Sequence, residues 1–568
     1  VSGAASPAAP GPARRDRGAG LRALIGDPRL PESLFGFAVV VSGALLVALN
    51  SKLTFLIDDW EVLLHRRGFS VHAFFLDHAG HPSMSLVAVY KAIQATFGMD
   101  SLTPYAIAAT LAFLASVVLL FVWLRRRVGD WLALAATLPV LFMGTAYEDL
   151  LSPFQLGYFA PMACGIGALL ALERGDRRGD IACCGLLVFA LTFQTLGLIF
   201  VAAALVTIGF DRELRSRAWI GAIPAVLYAL WYLGWGSSDA NQLSFDNVAT
   251  SPGFIVDGYA SSLSSLLGFA PGSGDEVAGS LDWGRPLLAL LVVAASVQLA
   301  TSRRVSKWLL AALTAGVAWW FLTAINASFF RAAISPRYQY VGAVLLLMAA
   351  AEVWRGRRAS PVVIAIALVA SLAATASNLA TMRDRLHPLE ASTALVRGDL
   401  AGLEIARDRV DPGLVLTPHN SGFNYFTLVD AGSYLSAADA FGSPAYSLAE
   451  LATAPESARV AADKVLGAAY ELALRPLPAV SGCQPPPGGA GVIELAPGET
   501  ILRAPGPGTA DLRLRRYAGE SFPVALGRLA AGEAAALSLP ADDSSEPWEL
   551  EATGGPVDLC TAAHSPRR

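Results

Sequence analysis

At 568 residues, the chain is 54% hydrophobic and only 15% charged, well below the roughly 25% charge of an ordinary soluble domain. Its formal net charge of -4 supplies no basic face for a phosphate backbone, which excludes a general nucleic-acid binder. The apolar residues fall in blocks up to Met382 and thin out afterwards. That is the pattern of a mainly α polytopic membrane protein with a C-terminal region outside the bilayer.

Residues 1–31 are rich in Ala, Pro, Gly and Arg and read as a disordered cytoplasmic tail, not a targeting peptide. Runs long enough to cross a bilayer, about 20 residues, follow near 33–53, 102–123, 130–147, 155–172, 218–235, 285–301, 308–326, 338–354 and 360–380. The stretch 181–210 is too long for one span and is interrupted by Gln194, Thr195 and Gly197. It reads as two short helices meeting in a tight turn, for about eleven transmembrane helices within residues 32–382. Arginine clusters at Arg14–Arg22, Arg125–Arg127, Arg174–Arg178, Arg212–Arg217, Arg303–Lys307 and Arg355–Arg358 all fall on one side under that count. The positive-inside rule makes that side cytoplasmic, which puts the C-terminal region outside.

The first outer loop is the densest in titratable groups. Leu56–His81 holds Asp58, Asp59, Glu61, Asp77 and four of the seven histidines, His65, His72, His78 and His81. Such groups at the mouth of a span are costly unless they function. Behind them SMSLVAVYKAIQATFG has Leu86, Val89, Tyr90, Ile93 and Phe97 at helical spacing, a surface helix. The next outer loop, YEDLLSPFQLGY, carries Glu148, Asp149 and Gln155; a longer one over 236–284 has Asp239, Asp246, Asp257 and a surface helix near 252–268. Arg331 and Arg337, with Tyr338 in SPRYQY, are cations on the outer side, against the charge bias.

After Met382, residues 383–480 mix helical stretches with a short β run at Leu414–Thr417, an α/β segment. Residues 481–568 alternate apolar and polar residues between Gly/Pro turns, a β-sandwich. Cys483 and Cys560, the only cysteines in it, suggest a disulfide in an oxidising compartment. Cys164, Cys183 and Cys184 lie in apolar runs and read as small buried hydrophobes.

Neighbouring residues of a helix differ by about 100°, so Asp58 and Asp59 cannot share a face. One can point into a cavity while the other caps, pairs or binds a metal. The plain alternative is a helix cap with a solvated acid. Sugar transfer from a lipid phosphate needs a carboxylate to take the acceptor proton and cations to hold the phosphate. Asp58, Asp59 and the two arginines supply both kinds of group. Arg331 and Arg337 would otherwise pair with loop acids or lipid head groups. His78 and His81 are candidate substrate hydrogen-bonders; a divalent metal (Mg or Mn) between them needs a helix that Gly80 and Pro82 break. Glu148 and Asp149 form a loop cap or a second acidic wall, with Gln155 and Tyr338 as further substrate contacts.

Over about residues 33–380, the first span, the acidic pair in a large first outer loop, the surface helix and the outer C-terminal region resemble the GT-C superfamily of membrane glycosyltransferases. LIDDWEVLLHRRGFSVHAFFLDHAGHPSMSLVAVYKAI is also similar to uncharacterised bacterial glycosyltransferase-like membrane proteins. The resemblance implies a bacterial plasma-membrane enzyme with a polyprenyl-phosphate-linked sugar donor and an inverting reaction, its base at Asp58 with Asp59 second. The acceptor would be an envelope glycan, glycolipid or protein. The chain has Asp-Asp where many relatives have Asp-Glu, and it lacks WWDYG, which disfavours en bloc glycan transfer to Asn. Two other classes compete: a transporter or flippase of lipid-linked sugars, and a non-catalytic envelope scaffold. The former needs a route open to both faces and matching broken helices, which are not apparent.

Overall fold

The computed structural model describes residues 29–562, apart from 237–243, 271–277, 304, 329–330, 479 and 487–490. Most of the expected N-terminal tail, with Arg14–Arg22, and also Asp239 and Arg304 lie outside the described residues. The chain is a mainly helical, polytopic membrane protein with a C-terminal β region. Each of the eleven expected crossings is helical: α1 Arg29–Asn50, α3 Thr103–Val128, α4 Asp130–Leu141, α5 Leu156–Leu172, α6 Arg177–Phe193, α7 Gly197–Phe210, α8 Trp219–Trp235, α10 Leu281–Ser302, α11 Lys307–Ala324, α12 Pro336–Val353 and α13 Pro361–Ile405. Between them lie α2 Met84–Phe97 and α9 Phe245–Leu266. Among the described residues seven helical stretches are long and apolar enough to cross a membrane, or eight if α4 and its bent continuation Gly144–Leu150 form one span. Helices α6 and α7 fall short in length, and α12 carries Arg337, Gln339 and Glu352.

Local chemistry sets the breaks. Ser360 accepts from the Val363 amide and Pro361 opens α13, since a proline in the first turn lacks only an N–H the helix leaves unpaired. The bend after α4 is fixed by Asn378 on α13, whose side chain accepts from the Thr145 amide and donates to the Ser265 carbonyl. A Cβ on Gly144 would meet the Asn378 carbonyl oxygen at 1.9 Å, so only glycine allows that approach. The expected surface helix near 252–268 is instead packed: Ser261, Ser262, Ser264 and Ser265 of α9 are fully buried. Its small side chains let α10, α11 and α12 close on it; Gly258 sits against the Trp320 ring.

One end of the bundle is tied by ions. Arg125 at the end of α3 pairs with Asp130 and with Glu32 on α1. Buried Arg127 pairs with Glu352 at the end of α12 and with Glu173 after α5, and its guanidinium lies over the Trp123 ring. Arg217 before α8 reaches Asp180 on α6, and Lys307 opening α11 reaches Asp211 after α7. Arg355 joins Glu173 and Glu352. The described arginine-rich turns thus sit together at one end, as alternating helices require. The acidic first loop sits at the other end.

Helix α13 runs for 45 residues through Pro388, roughly 67 Å at 1.5 Å per residue. It therefore spans a bilayer and continues into the C-terminal region, with no break at 382/383. The β run expected at Leu414–Thr417 is a single bridge, Val415 opposite Asp430, so in place of the expected α/β segment an irregular stretch at 406–430 leads into the helices Ala431–Phe441, Leu448–Thr453 and Glu456–Ala469. Beyond them, the described residues form nine strands in two antiparallel sheets of five and four strands. Leu502, Leu512, Leu514, Leu537, Trp548 and Leu550 fill the space between them. Buried Asp463, on helix Glu456–Ala469, accepts from the amides of Arg516, Tyr517 and Ala518, latching the helical segment to the sheets.

Cys483 on the strand Val480–Gln484 is disulfide-bonded to Cys560 on Asp558–Ala562, a separation of 77 residues. Closing a loop of that length stabilises the region by roughly 4 kcal/mol in the chain-entropy treatment. Non-reducing mass mapping of protein from native membranes should recover the linked peptides; two free thiols there would contradict the pairing.

Candidate active site

The first loop folds around its own charges. Ile57, at φ 21°, turns the chain out of α1 into a single helical turn, Asp58–Trp60, which widens to a π-turn over Glu61–His65. That geometry is frequent at functional sites. The two aspartates part ways here. Asp59 is buried: it accepts from the Leu56 amide at 3.0 Å and from the Tyr90 hydroxyl on α2 at 2.6 Å. Burial pushes its carboxyl up to about 7, against those hydrogen bonds. Asp58 is about half exposed and lines a cleft.

Glu61 lies inward from Asp58. Arg66, 2% exposed, donates to it from Nη2 at 2.7 Å and also to the carbonyls of Leu76 and Asp77 at 2.6 and 2.5 Å. This fork draws residues 76–78 back onto the helical turn. The stretch 77–81 then closes as a tight turn, His78 and His81 bonding each other's backbone at 2.9 Å, with Ala79 and Gly80 at positive φ. Glycine fits that position because it lacks a Cβ. His78 presents Nδ1 to Glu61 at 2.5 Å and Nε2 toward Asp58 at 3.6 Å, with its ring against Phe154. Burial opposes charge on His78, but Glu61 outweighs it and raises the imidazole. Burial likewise works against the Glu61 carboxylate, yet His78 and Arg66 bring it down to about 2. His81 is different. Its Nδ1 faces the Thr195 hydroxyl at 2.9 Å, and burial, then the His78 charge, lowers it to about 4.

The cleft encloses about 1010 Å³, its open mouth included. Asp58, His78, His81, Gln155, Arg331, Arg337 and Tyr338 all line it. Arg337, in the first turn of α12, donates from Nε to Glu148 at 3.2 Å. Arg331 carries no ion pair among the described residues. Three expected residues do not line the cleft. Asp59 faces Tyr90, Glu148 supports Arg337 from the side, and Asp149 is fully buried with both carboxylate oxygens lacking a hydrogen-bond partner among the described residues. Among the described residues no group of three or more His, Cys, Asp or Glu is arranged to hold a metal ion. His78 and His81 turn Nδ1 to different partners, Glu61 and Thr195.

Other cleft residues are Tyr158, Gln194, Thr195, Trp319 and Asn326. The polar interruption at Gln194 and Thr195 was visible as a break in an apolar run, and the structure makes it a wall of the cleft. Tyr158 and Trp319 sit within apolar helices and give no such signal. Beside the cleft is an apolar slot lined by Phe75, Pro82, Met84, Leu191, Leu227 and Trp231. Thr195 bridges the two, facing His81 on one side and the Tyr228 hydroxyl at 3.3 Å on the other.

No protein-family model and no curated protein matches the sequence. Among solved structures the chain is similar to ArnT from Cupriavidus metallidurans, crystallised bound to undecaprenyl phosphate. The identity is 14% and the TM-score 0.41, over 71% of this chain and 84% of that one. No residue role is carried across at that distance.

Proposed function

We propose that the chain is a GT-C-type glycosyltransferase that moves a sugar from a polyprenyl-phosphate donor to an envelope glycan, glycolipid or protein at the outer face of a bacterial plasma membrane. One observation carries this reading: a carboxylate from the first outer loop and two guanidiniums from the segment that opens α12 line one cleft that adjoins an apolar slot. Asp58 is the general base. It takes the proton of the acceptor hydroxyl as that oxygen attacks the anomeric carbon from the face opposite the phosphate. The bond from that carbon to the phosphate oxygen breaks, its electron pair stays with the phosphate, and the configuration inverts. The diester becomes a monoester, so the phosphate gains one negative charge while Asp58 loses one. Arg331 and Arg337 then meet more charge in the transition state than in the ground state, which is where stabilisation accelerates a reaction. Asp58, being half exposed, returns its proton to water.

The transporter reading fits less well. Opposite the cleft, the Arg127, Glu352 and Glu173 network ties α3, α5 and α12 together, where a carrier needs an exit. Purified protein should bind a polyprenyl phosphate without its sugar and show a raised melting temperature, because the phosphate and lipid supply most contacts. Equal stabilisation by an uncharged polyprenol would contradict a phosphate site.

The orientation follows from the charged end. With the clustered arginines cytoplasmic, reporter fusions at Arg127, Arg178 and Arg358 should all report cytoplasm, and one within the β region should report the outside. A fusion at Arg178 reporting the outside would break the shared-cleft geometry.

A further inference from the structure

His78 stands in the cleft wall with Glu61 partly buried behind it, and proton transfer at Asp58 does not by itself require them. Burying a carboxylate beside an imidazole is costly unless both are paired, and here the pairing is complete. Arg66 grips Glu61 with Nε and Nη2 and holds the Leu76 and Asp77 carbonyls with Nη1 and Nη2. Phe154 packs against the His78 ring. With Nδ1 committed to Glu61 at 2.5 Å, the ring has one remaining nitrogen, and it faces the Asp58 carboxylate at 3.6 Å. The other charged or titratable groups near His78 are Arg66 and, across the 77–81 turn, His81.

We propose that Glu61 and His78 form a fixed carboxylate–imidazolium pair that orients the Asp58 carboxylate into the cleft. His78 is thus a positioning residue for the base, in a role separate from substrate contact. The proposal rests on the reading of Asp58 as base. A rotatable, half-exposed aspartate loses time in unproductive rotamers, and a cation at one of its oxygens leaves the other directed at the acceptor. Misplacement by about 1 Å can cost on the order of a hundredfold in rate. The sign with pH follows. Glu61 raises His78, so the imidazolium persists above its unfolded range and is lost as pH rises through the raised value.

The test is nitrogen NMR of histidine-labelled full-length protein across pH, with the His78 signals assigned by their loss in His78→Gln, alongside transfer assays. In the wild type, both His78 nitrogens should show imidazolium shifts at neutral pH. In Glu61→Gln the loss of that form, and the alkaline limb of kcat, should both move about one pH unit or more downward. His78→Gln should lower kcat roughly tenfold or more with donor affinity kept. A neutral His78 in an active wild-type enzyme would overturn the pair. So would an alkaline limb unmoved by Glu61→Gln. An imidazolium His78 in a protein that transfers from no donor would overturn the transferase reading and the base role with it.

Discussion

Asp58→Asn should fold, bind the donor and lose turnover by roughly 100-fold or more, the usual scale for removing a general base. The amide is nearly isosteric with the carboxylate, and Asp58 holds no described backbone group in place, so stability should change little. Donor binding should persist, since the proposed phosphate site is formed by Arg331 and Arg337, which also line the cleft. Asp59→Asn separates the pair. Asp59 accepts from Leu56 and Tyr90 away from the cleft, so its substitution should show a smaller loss of turnover. Full transfer in Asp58→Asn with none in Asp59→Asn would mean the roles are reversed. Full transfer in both would remove the centre of the account.

Arg337→Ala should weaken donor binding as well as turnover. The phosphate is charged before and after transfer, so the guanidinium acts in both states. A hydrogen bond to a charged group is worth about 1.5–3 kcal/mol, which corresponds to a loss in affinity of roughly tenfold to a hundredfold. The substitution also strips Glu148 of its ion-pair partner and leaves an unneutralised carboxylate beside the cleft, which pushes the loss toward the larger figure. Arg337→Lys retains the charge without the planar fork and should fall between. Equilibrium binding of a polyprenyl phosphate to each variant reads this directly; unchanged affinity in Arg337→Ala would take the phosphate site away from α12.

Much of this arrangement is legible in the residues because a bilayer forces simple rules on a chain. Apolar length located the eleven helices, and arginine clustering placed their turns at one end, where Arg127, Arg217 and Lys307 do meet partners from other turns. The 100° step between neighbours required Asp58 and Asp59 to diverge. What periodicity does not carry is pairing over distance. Nothing local to Glu61 marks it as the partner of His78, 17 residues on, because a turn fixed by Arg66 and Gly80 brings them together. The stretch near 252–268 reads as a surface helix, yet the serines of α9 are packed against close-approaching helices. The continuity of α13 through Pro388 was hidden by a change of composition at Met382, which alters what surrounds the helix and not its backbone.

The most direct measurement is release of polyprenyl phosphate by the purified, reconstituted protein given a panel of polyprenyl-phosphate sugars with an envelope extract as acceptor. The account predicts release from at least one donor by the wild type and roughly 100-fold less from Asp58→Asn. Donor carried across the vesicle membrane with its sugar still attached, and none cleaved, would contradict it.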